Sequence, residues 1–455
     1  MEKRPLFHFT PESNWMNDPN GLCFYKGEYH IFYQHNPENC YWGNMTWGHG
    51  KSKNLFDWER LPHALKPDSE NFGDIDGCFS GSAFVEKDEL YLFYTGVKML
   101  TKQKNEFGNT ITIGLNDLAP TQILAKSEDG INFEKLQKLS LEIPEECCKA
   151  HVRDPKIWKK DEVWYMIIGA RENSQGEVLV YNSKDMENWN FLSKIKEENM
   201  GYMWECPDLF SVGEKDILFI SPEGVGKDEQ KNISGYYLGE FNYETGKFIH
   251  EEFERLDYGF EFYAPQSFLD DKGRRVFMGW LVNHAPLPEE NWTGMMTLPR
   301  EIKMKDGKLY TFPVEELKKY RAEKLQEFSH LEKAKNMYDF EIVLENLENF
   351  QMLLFKDQEK SLKLSYSKEE KSLVLDRSEV INSFEPLKTF GTIRKLKIDG
   401  ETEKKIRVIA DKSVVEIYIN DGELVMSSVL NPTSCQKGVE VMGNILSKEI
   451  YTLKR

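Results

Sequence analysis

The sequence predicts an all-β chain: a five-bladed β-propeller over residues 1–313, a linker over 314–335 and a β-sandwich over 336–455. Three observations predict it. Five short aromatic and aliphatic runs recur through the first two thirds of the chain. A serine-led, turn-rich segment trails several of them. Beyond residue 335 the pattern changes to alternating apolar and polar residues broken by turns.

The five runs are EYHIFYQ (28–34), ELYLFYTG (89–96), EVWYMIIGA (162–170), KDILFISPEG (215–224) and RRVFMGWLV (274–282). Each follows a charged or turn-like entry and ends near Gly, Gln or Pro. Their starts lie roughly 50 to 75 residues apart, as expected of a repeated β unit. Runs of this kind read as strands buried almost completely. The trailing segments are SKNLFDWERL (52–61), SEDGINFEKL (127–136) and SKDMENWNFL (183–192), in which a turn and an aromatic lead back into a strand. A core strand with an outer hairpin strand, repeated, is the pattern of a propeller blade. Five runs make five blades, closing at about residue 310. The competing reading is an ordinary β-sandwich with coincidental spacing.

The charged stretch VEELKKYRAEKLQEFSHLEKAK (314–335) forms either a short helix or an extended linker. After it, FEIVLENLENFQMLLF, SLKLSYSKEEKSLVLDR, IRVIADKSVVEIYINDGELVMSSVL and VEVMGNILSKEIYTL alternate in character and contain turns such as NDG. Short strands joined by such turns predict a sandwich.

Composition narrows the partners. At 455 residues the chain exceeds one ordinary core. A net charge of −17 repels nucleic acid and anionic lipid, so neither is expected as a partner. Aromatic residues, 13% of the total, suit pleated sheets and stack on sugar faces. The seven cysteines (Cys23, Cys40, Cys78, Cys147, Cys148, Cys206, Cys435) are odd in number and lack zinc-site spacing, which predicts free thiols in a reducing compartment. The start MEKRPLFHFTPES has no apolar signal core, so the expected location is the cytoplasm and the Asn44-Met45-Thr46 sequon is idle. The nine histidines form no ligand cluster, and neither metal nor cofactor is expected.

Three acids have unusual neighbours. Asp18 lies in WMNDPNG, Asp154 in HVRDPKIW and Glu205 in MWECPDLF. Proline follows Asp18 and Asp154 directly and stands two positions after Glu205, pinning the backbone near each carboxylate. Taken singly, each is equally a turn starter or a hydrogen-bonded buried acid. Together they mark different blades, and acids from separate blades converge in a propeller's central funnel. Two carboxyls so placed suit glycoside hydrolysis, and crowding raises the pKa of one of them.

The ordered set NWMNDPNGL, YHIFYQ, WGNMTWGH, FSGSA, RDPKIW, WECPDL, YAPQSF and TLPRE resembles glycoside hydrolase family 32, the β-fructofuranosidases, over essentially the whole chain. The resemblance implies a five-bladed propeller followed by a sandwich, and a retaining mechanism without cofactor. By the same resemblance Asp18 is the nucleophile, Glu205 the general acid and base, and Asp154 the transition-state stabiliser. Trp15, Asn17, Gln34, Trp42, Phe79, Ser80, Arg153, Tyr263 and Trp280 line the fructose pocket. Cys206 reads as a small buried neighbour of Glu205. Implied substrates are sucrose, sucrose 6-phosphate or short fructo-oligosaccharides. Alternatives are an exo-acting fructan hydrolase or a fructosyltransferase on the same scaffold, and, with less support, an inverting pentosidase or a non-enzymatic sugar-binding propeller. Lys98, Lys102 and Lys104, in the unusual segment 97–122, either bind a phosphate or longer sugar or belong to a solvated loop. A monomer and a homodimer are both compatible with the sequence.

Overall fold

Each of the five apolar runs becomes the second strand of an antiparallel sheet in a computed structural model that describes residues 2–68, 70–225 and 233–455. Sheet 1 is built from Asn14–Tyr25, Glu28–Asn36, Thr46–Ser52 and Trp58–Leu65, with Trp292–Thr293 added parallel to its first strand. Sheet 2 follows with Gly77–Glu86, Glu89–Met99, Leu118–Ser127 and Glu134–Lys138. Sheet 3 comprises Arg153–Lys160, Val163–Glu172, Gln175–Ser183 and Asn190–Ile195. Sheet 4 runs through Met203–Val212, Lys215–Glu223, Gly235–Phe241 and Phe248–His250. Sheet 5 contains Phe262–Leu269, Arg275–Leu281, Arg300–Lys305 and Lys308–Pro313.

The runs are continuous rather than alternating because both faces of each second strand are covered. Phe32 packs with Leu92 and Tyr94 of sheet 2, while its neighbours Ile31 and Tyr33 pack with Val276 and Met278 of sheet 5. Phe93 joins Met166 and Ile168 of sheet 3, and Ile167 joins Leu218 and Ile220 of sheet 4. Phe219 in turn meets Phe277 and Leu281 of sheet 5. Every sheet therefore shares an apolar layer with the next, and the fifth with the first. The first strands of the five sheets touch in the same cyclic order.

The stretch 314–335 contains two 3-10 turns, Glu315–Tyr320 and Phe328–Ala334, around the strand Arg321–Leu325. That strand pairs with Ile445–Leu453 at the edge of a six-stranded sheet. The sheet continues through Met337–Leu344, Lys404–Asp411, Val414–Ile419 and Leu424–Val429. A five-stranded sheet holds Ile393–Lys397, Ser372–Asp376, Leu362–Ser367, Gln351–Lys356 and Gly438–Met442. One apolar cluster draws on both, with Phe340, Ile342 and Ile406 from the first and Leu354, Leu364 and Leu375 from the second. No helix among the described residues is long and apolar enough to cross a membrane.

A buried network of charges ties these two sheets to the preceding five. Arg300 of sheet 5 lies 3.0 Å from Asp257 and 3.0 Å from Glu416, and all three side chains are fully buried. Glu416 also takes a hydrogen bond from Tyr418 and sits 3.2 Å from His8 Nε2, whose Nδ1 is 3.0 Å from Asp411. Asp411 accepts the backbone N–H groups of Leu6, Phe7 and His8. Burial disfavours a charged His8, but its bonds to Asp411 and Glu416 outweigh that and hold its pKa up to about 9. Burial likewise pushes Glu416 up, and Arg300 and His8 overcome it, bringing Glu416 to about 2.

Truncating Arg300 would leave buried Asp257 without its cation and Glu416 with His8 alone. Arg300→Leu is expected to cost about 3–5 kcal/mol in denaturant unfolding, and a loss under about 1 kcal/mol would contradict this account. His8 has a folded pKa above its ordinary value of 6.5, so its contribution is full below that pH and fades as pH rises through about 9. Over that window the wild-type protein should lose about 3 kcal/mol that His8→Gln does not lose.

Candidate active site

The first strand of every one of the five sheets breaks register with its neighbour near its start. The shifts fall between Met16 and Pro19, Cys78 and Gly81, Arg153 and Lys156, Glu205 and Asp208, and Tyr263 and Gln266. The sequence at these points is Asp18-Pro19, Ser80-Gly81, Asp154-Pro155, Cys206-Pro207 and Ala264-Pro265. Proline has no N–H for the ladder, so four of the five first strands carry a bulge where pairing must lapse. Asp154, Cys206 and Ala264 adopt left-handed φ values of 67°, 47° and 49°. At a bulge the alternation of faces is suspended, and two successive side chains turn the same way. Five bulges thus offer five pairs: Asn17 and Asp18, Phe79 and Ser80, Arg153 and Asp154, Glu205 and Cys206, Tyr263 and Ala264.

Seven of these ten residues line one cavity of about 650 Å³. Its lining includes Trp15, Asn17, Asp18, Gln34, Trp42, Phe79, Ser80, Arg153, Asp154 and Glu205, ten of the twelve residues singled out from the sequence. The other two stand directly behind the wall. The Tyr263 hydroxyl donates to Glu205 Oε2 at 2.7 Å and lies 3.0 Å from the Ser221 carbonyl oxygen. Trp280 packs edge-on against Trp15 with ring centroids 5.7 Å apart.

The three acids come from sheets 1, 3 and 4 and are linked through one residue. Ser80 Oγ donates to Asp18 Oδ2 at 2.7 Å. Cys206 Sγ lies 3.6 Å from Asp18 Oδ2 and 3.7 Å from Asp154 Oδ2, and the Cys206 N–H donates to Asp154 at 3.0 Å. Cys206 is thus the small neighbour at the floor, its thiol pushed well above its ordinary range by burial and the surrounding carboxylates. Arg153 donates from Nη2 to Glu205 Oε1 at 2.8 Å and to Glu223 Oε1 at 3.3 Å.

Crowding sorts the protons. Burial and then the charge of Glu205 raise the Asp18 pKa, against the Ser80 hydrogen bond. Burial raises Asp154 to about 7, with Arg153 opposing and the charges of Glu205 and Asp18 assisting. Glu223 rises to about 8 through burial and the adjacent Glu205. Glu205 is pushed up by burial too, but Arg153 more than cancels this and holds it below the ordinary carboxylate range. Of the four carboxyls, Asp18, Asp154 and Glu223 are raised and Glu205 alone is lowered.

Sequence reading missed Glu223, and with it His151, Arg171, Tyr202 and His284, which also line the cavity. Glu223 had a signal: it is an acid ending an otherwise apolar run, directly after Pro222. The repeated tripeptides Asn-Asp-Pro, Phe-Ser-Gly, Arg-Asp-Pro, Glu-Cys-Pro and Tyr-Ala-Pro were a second, since they register the five first strands against one another.

The segment 97–122 leans over the mouth as a hairpin of Gln103–Lys104 and Thr110–Ile111. Fully buried Asn109 clasps it in place by donating to the carbonyls of Tyr41 and Trp42 at 3.2 and 2.9 Å, while Phe107 stacks on Tyr41. Its contribution to the cavity is largely apolar, including Met99, Phe107 and Leu115. The lysines face elsewhere: Lys98 pairs with Glu70, Lys102 with Asp76, and Lys104 bonds Thr110.

Gly81 takes the bulge position held by proline in the other four strands. A Cβ there would stand 1.9 Å from the Phe93 carbonyl oxygen and 2.6 Å from Tyr94 Cα, both backbone atoms that cannot step aside. Gly81→Ala is expected to destabilise the fold by about 1–3 kcal/mol and to lower activity by displacing Ser80 from Asp18. An unaltered melting temperature and activity would contradict that.

Known proteins resemble this chain along nearly its whole length. Residues 8–313 match the Glycosyl hydrolases family 32 N-terminal domain, and residues 313–452 match the Glycosyl hydrolases family 32 C terminal region. A sucrose-6-phosphate hydrolase of Zymomonas mobilis is 35% identical over 451 residues, covering 92% of this chain and 84% of that protein. The structure of a GH32 beta-fructofuranosidase of Bombyx mori superposes with a TM-score of 0.82 at 34% identity, covering 100% of this chain and 94% of the other. That of a sucrose-6-phosphate hydrolase from Lactobacillus gasseri gives a TM-score of 0.86 at 26% identity, over 99% and 93%. Matched in both halves and along nearly its whole length, the chain belongs to glycosyl hydrolases family 32 and is a glycoside hydrolase.

Proposed function

We propose that the protein is a retaining β-fructofuranosidase that cleaves terminal β-D-fructofuranosyl units from sucrose, sucrose 6-phosphate or short fructo-oligosaccharides. The observation that carries the reading is the convergence of Asp18, Asp154 and Glu205, from three different sheets, on one cavity. Relatives named sucrose-6-phosphate hydrolase and beta-fructofuranosidase support the substrate class.

In this reading Asp18 attacks the anomeric C2 while Glu205 protonates the departing oxygen, giving a fructosyl-enzyme ester and a free alcohol. Glu205 then takes a proton from water, which attacks C2 and releases Asp18. Ser80 holds the Asp18 carboxylate in one orientation. Asp154, fixed by the Cys206 N–H, faces the fructosyl hydroxyls and the positive charge that develops at C2. Asn17, Gln34 and Arg153 supply polar contacts, and Trp15, Trp42, Phe79, Tyr263 and Trp280 close the apolar faces of the pocket. General acid assistance of this kind is worth about 10²- to 10⁴-fold.

The scaffold in this reading is a five-bladed propeller, supported by the apolar layers that link each sheet to the next and the fifth to the first. It occupies residues 1–313 and is followed, after the connection at 314–335, by a sandwich over 336–455. The sandwich serves as a buttress: Ser427 and Val425 carbonyls bond the N–H groups of Phe260 and Tyr258, just ahead of Tyr263. Seven free thiols support a reducing, cytoplasmic setting.

Asp18→Asn removes the nucleophile and one of the crowded negative charges. Fructose release from sucrose should fall by at least about 10⁴-fold, with the melting temperature unchanged or raised. Turnover in methanol by the wild type should yield methyl β-fructofuranoside. An α-product, or full activity in Asp18→Asn, would refute the assignment.

A further inference from the structure

Glu223 closes the second strand of sheet 4, Lys215–Glu223. Across the ladder, Met203 stands opposite Glu223, and Glu205 opposite Ser221. Glu205 and Glu223 are therefore diagonal neighbours on the same face of an antiparallel pair, close enough for long side chains to meet. Their carboxyls both approach one nitrogen, Arg153 Nη2. Two ionised carboxylates so close repel each other, and a proton on one relieves this and lets it donate to the other. Arg153 Nη2 spans both, 2.8 Å from Glu205 and 3.3 Å from Glu223, and supplies one positive charge for the pair.

The donors around Glu205 create a difficulty for an acid. Arg153 and the Tyr263 hydroxyl both point at it and both favour its ionised form. Glu205 alone would reach the substrate without a proton to give. Glu223 receives a weaker share of Arg153, at 3.3 Å, and faces the hydroxyl of Tyr202. Farther off, Asp154 and Asp18, both with raised pKa, lie beyond Glu205. His151 and Arg171 stand at the rim, Arg171 over the ring of Tyr202. The balance leaves the shared proton on Glu223.

We propose that Glu223 is a positioning residue that stores the catalytic proton of Glu205, the two carboxyls acting as a pair with one proton between them. This rests on the assignment of Glu205 as the acid. On substrate binding the proton moves from Glu223 to Glu205, and from there to the glycosidic oxygen as its bond to C2 breaks and the bond from Asp18 forms. Both carboxyls are then ionised beside Arg153. In the second half-reaction Glu205 takes a proton from the attacking water, so the pair regains its proton as Asp18 is released. No other donor or acceptor is consumed. The Glu223 pKa of about 8, raised by burial and by Glu205, fits a pair that keeps its proton through neutral pH.

The test compares wild type and Glu223→Gln on sucrose and on 4-nitrophenyl β-D-fructofuranoside, whose leaving group departs without protonation. In the wild type, kcat/KM on sucrose should fall as pH rises through about 8, where the pair loses its proton. In Glu223→Gln the lone Glu205 loses its proton at lower pH, so that limb should move down by at least about one pH unit. Activity on sucrose at neutral pH should drop about 10²-fold, and activity on the nitrophenyl substrate should stay within about threefold. Retained nitrophenyl turnover also reports a folded pocket. An unmoved basic limb, or an equal loss on both substrates, overturns the proton store while leaving the fructosidase reading intact. A wild-type enzyme that cleaves neither substrate overturns both.

Discussion

The arrangement of the whole pocket depends on one backbone constraint, the bulge at the start of each sheet's first strand. A regular strand sends alternate side chains to opposite faces, so only one of any two neighbours points into a central space. The bulges suspend that rule at Asp18, Ser80, Asp154, Cys206 and Ala264. An acid and its helper then come from adjacent positions in one strand, as with Arg153 and Asp154. Proline enforces the lapse in pairing at four of these sites, and the absence of a Cβ at Gly81 permits the close approach at the fifth.

The second constraint is electrostatic. Four carboxyls, from Asp18, Asp154, Glu205 and Glu223, share a cavity with the guanidinium of Arg153. Burial favours the neutral form of all four, and the position of Arg153 decides which one is pulled the other way. It sits closest to Glu205 and lowers its pKa, while Asp18, Asp154 and Glu223 are raised. Such a cluster demands a stiff surround. The loop ahead of Tyr263 is bonded to the strand Leu424–Val429, and Glu261 within it pairs with buried Arg377 of the C-terminal sheets. The C-terminal region thus reaches the wall of the cavity through two residues of chain, from Glu261 to Tyr263.

Much was legible in the sequence because it is local. The apolar runs mark strands covered on both faces, and all five became second strands within a few residues of their expected ends. Asp18 and Asp154 announce themselves by the proline that follows, and the alternation beyond residue 335 matches strands such as Lys404–Asp411 and Val414–Ile419. The charged stretch 314–335, ambiguous in sequence, holds 3-10 turns as well as a strand, because pairing with Ile445–Leu453 is a contact its own residues do not encode.

The order of residues already holds the inventory: an all-β chain, five repeated strand units, three pinned acids and the family they resemble. How that inventory acts depends on contacts made across the fold. It brought Glu223 against Glu205 by cross-strand register, turned Lys98, Lys102 and Lys104 away from the cavity, and set Arg153 between two carboxyls. The physical reason is range. Backbone preference and apolar periodicity act over a few neighbouring residues, whereas a pKa depends on charges and burial contributed by other strands, such as Arg153, 52 residues from Glu205.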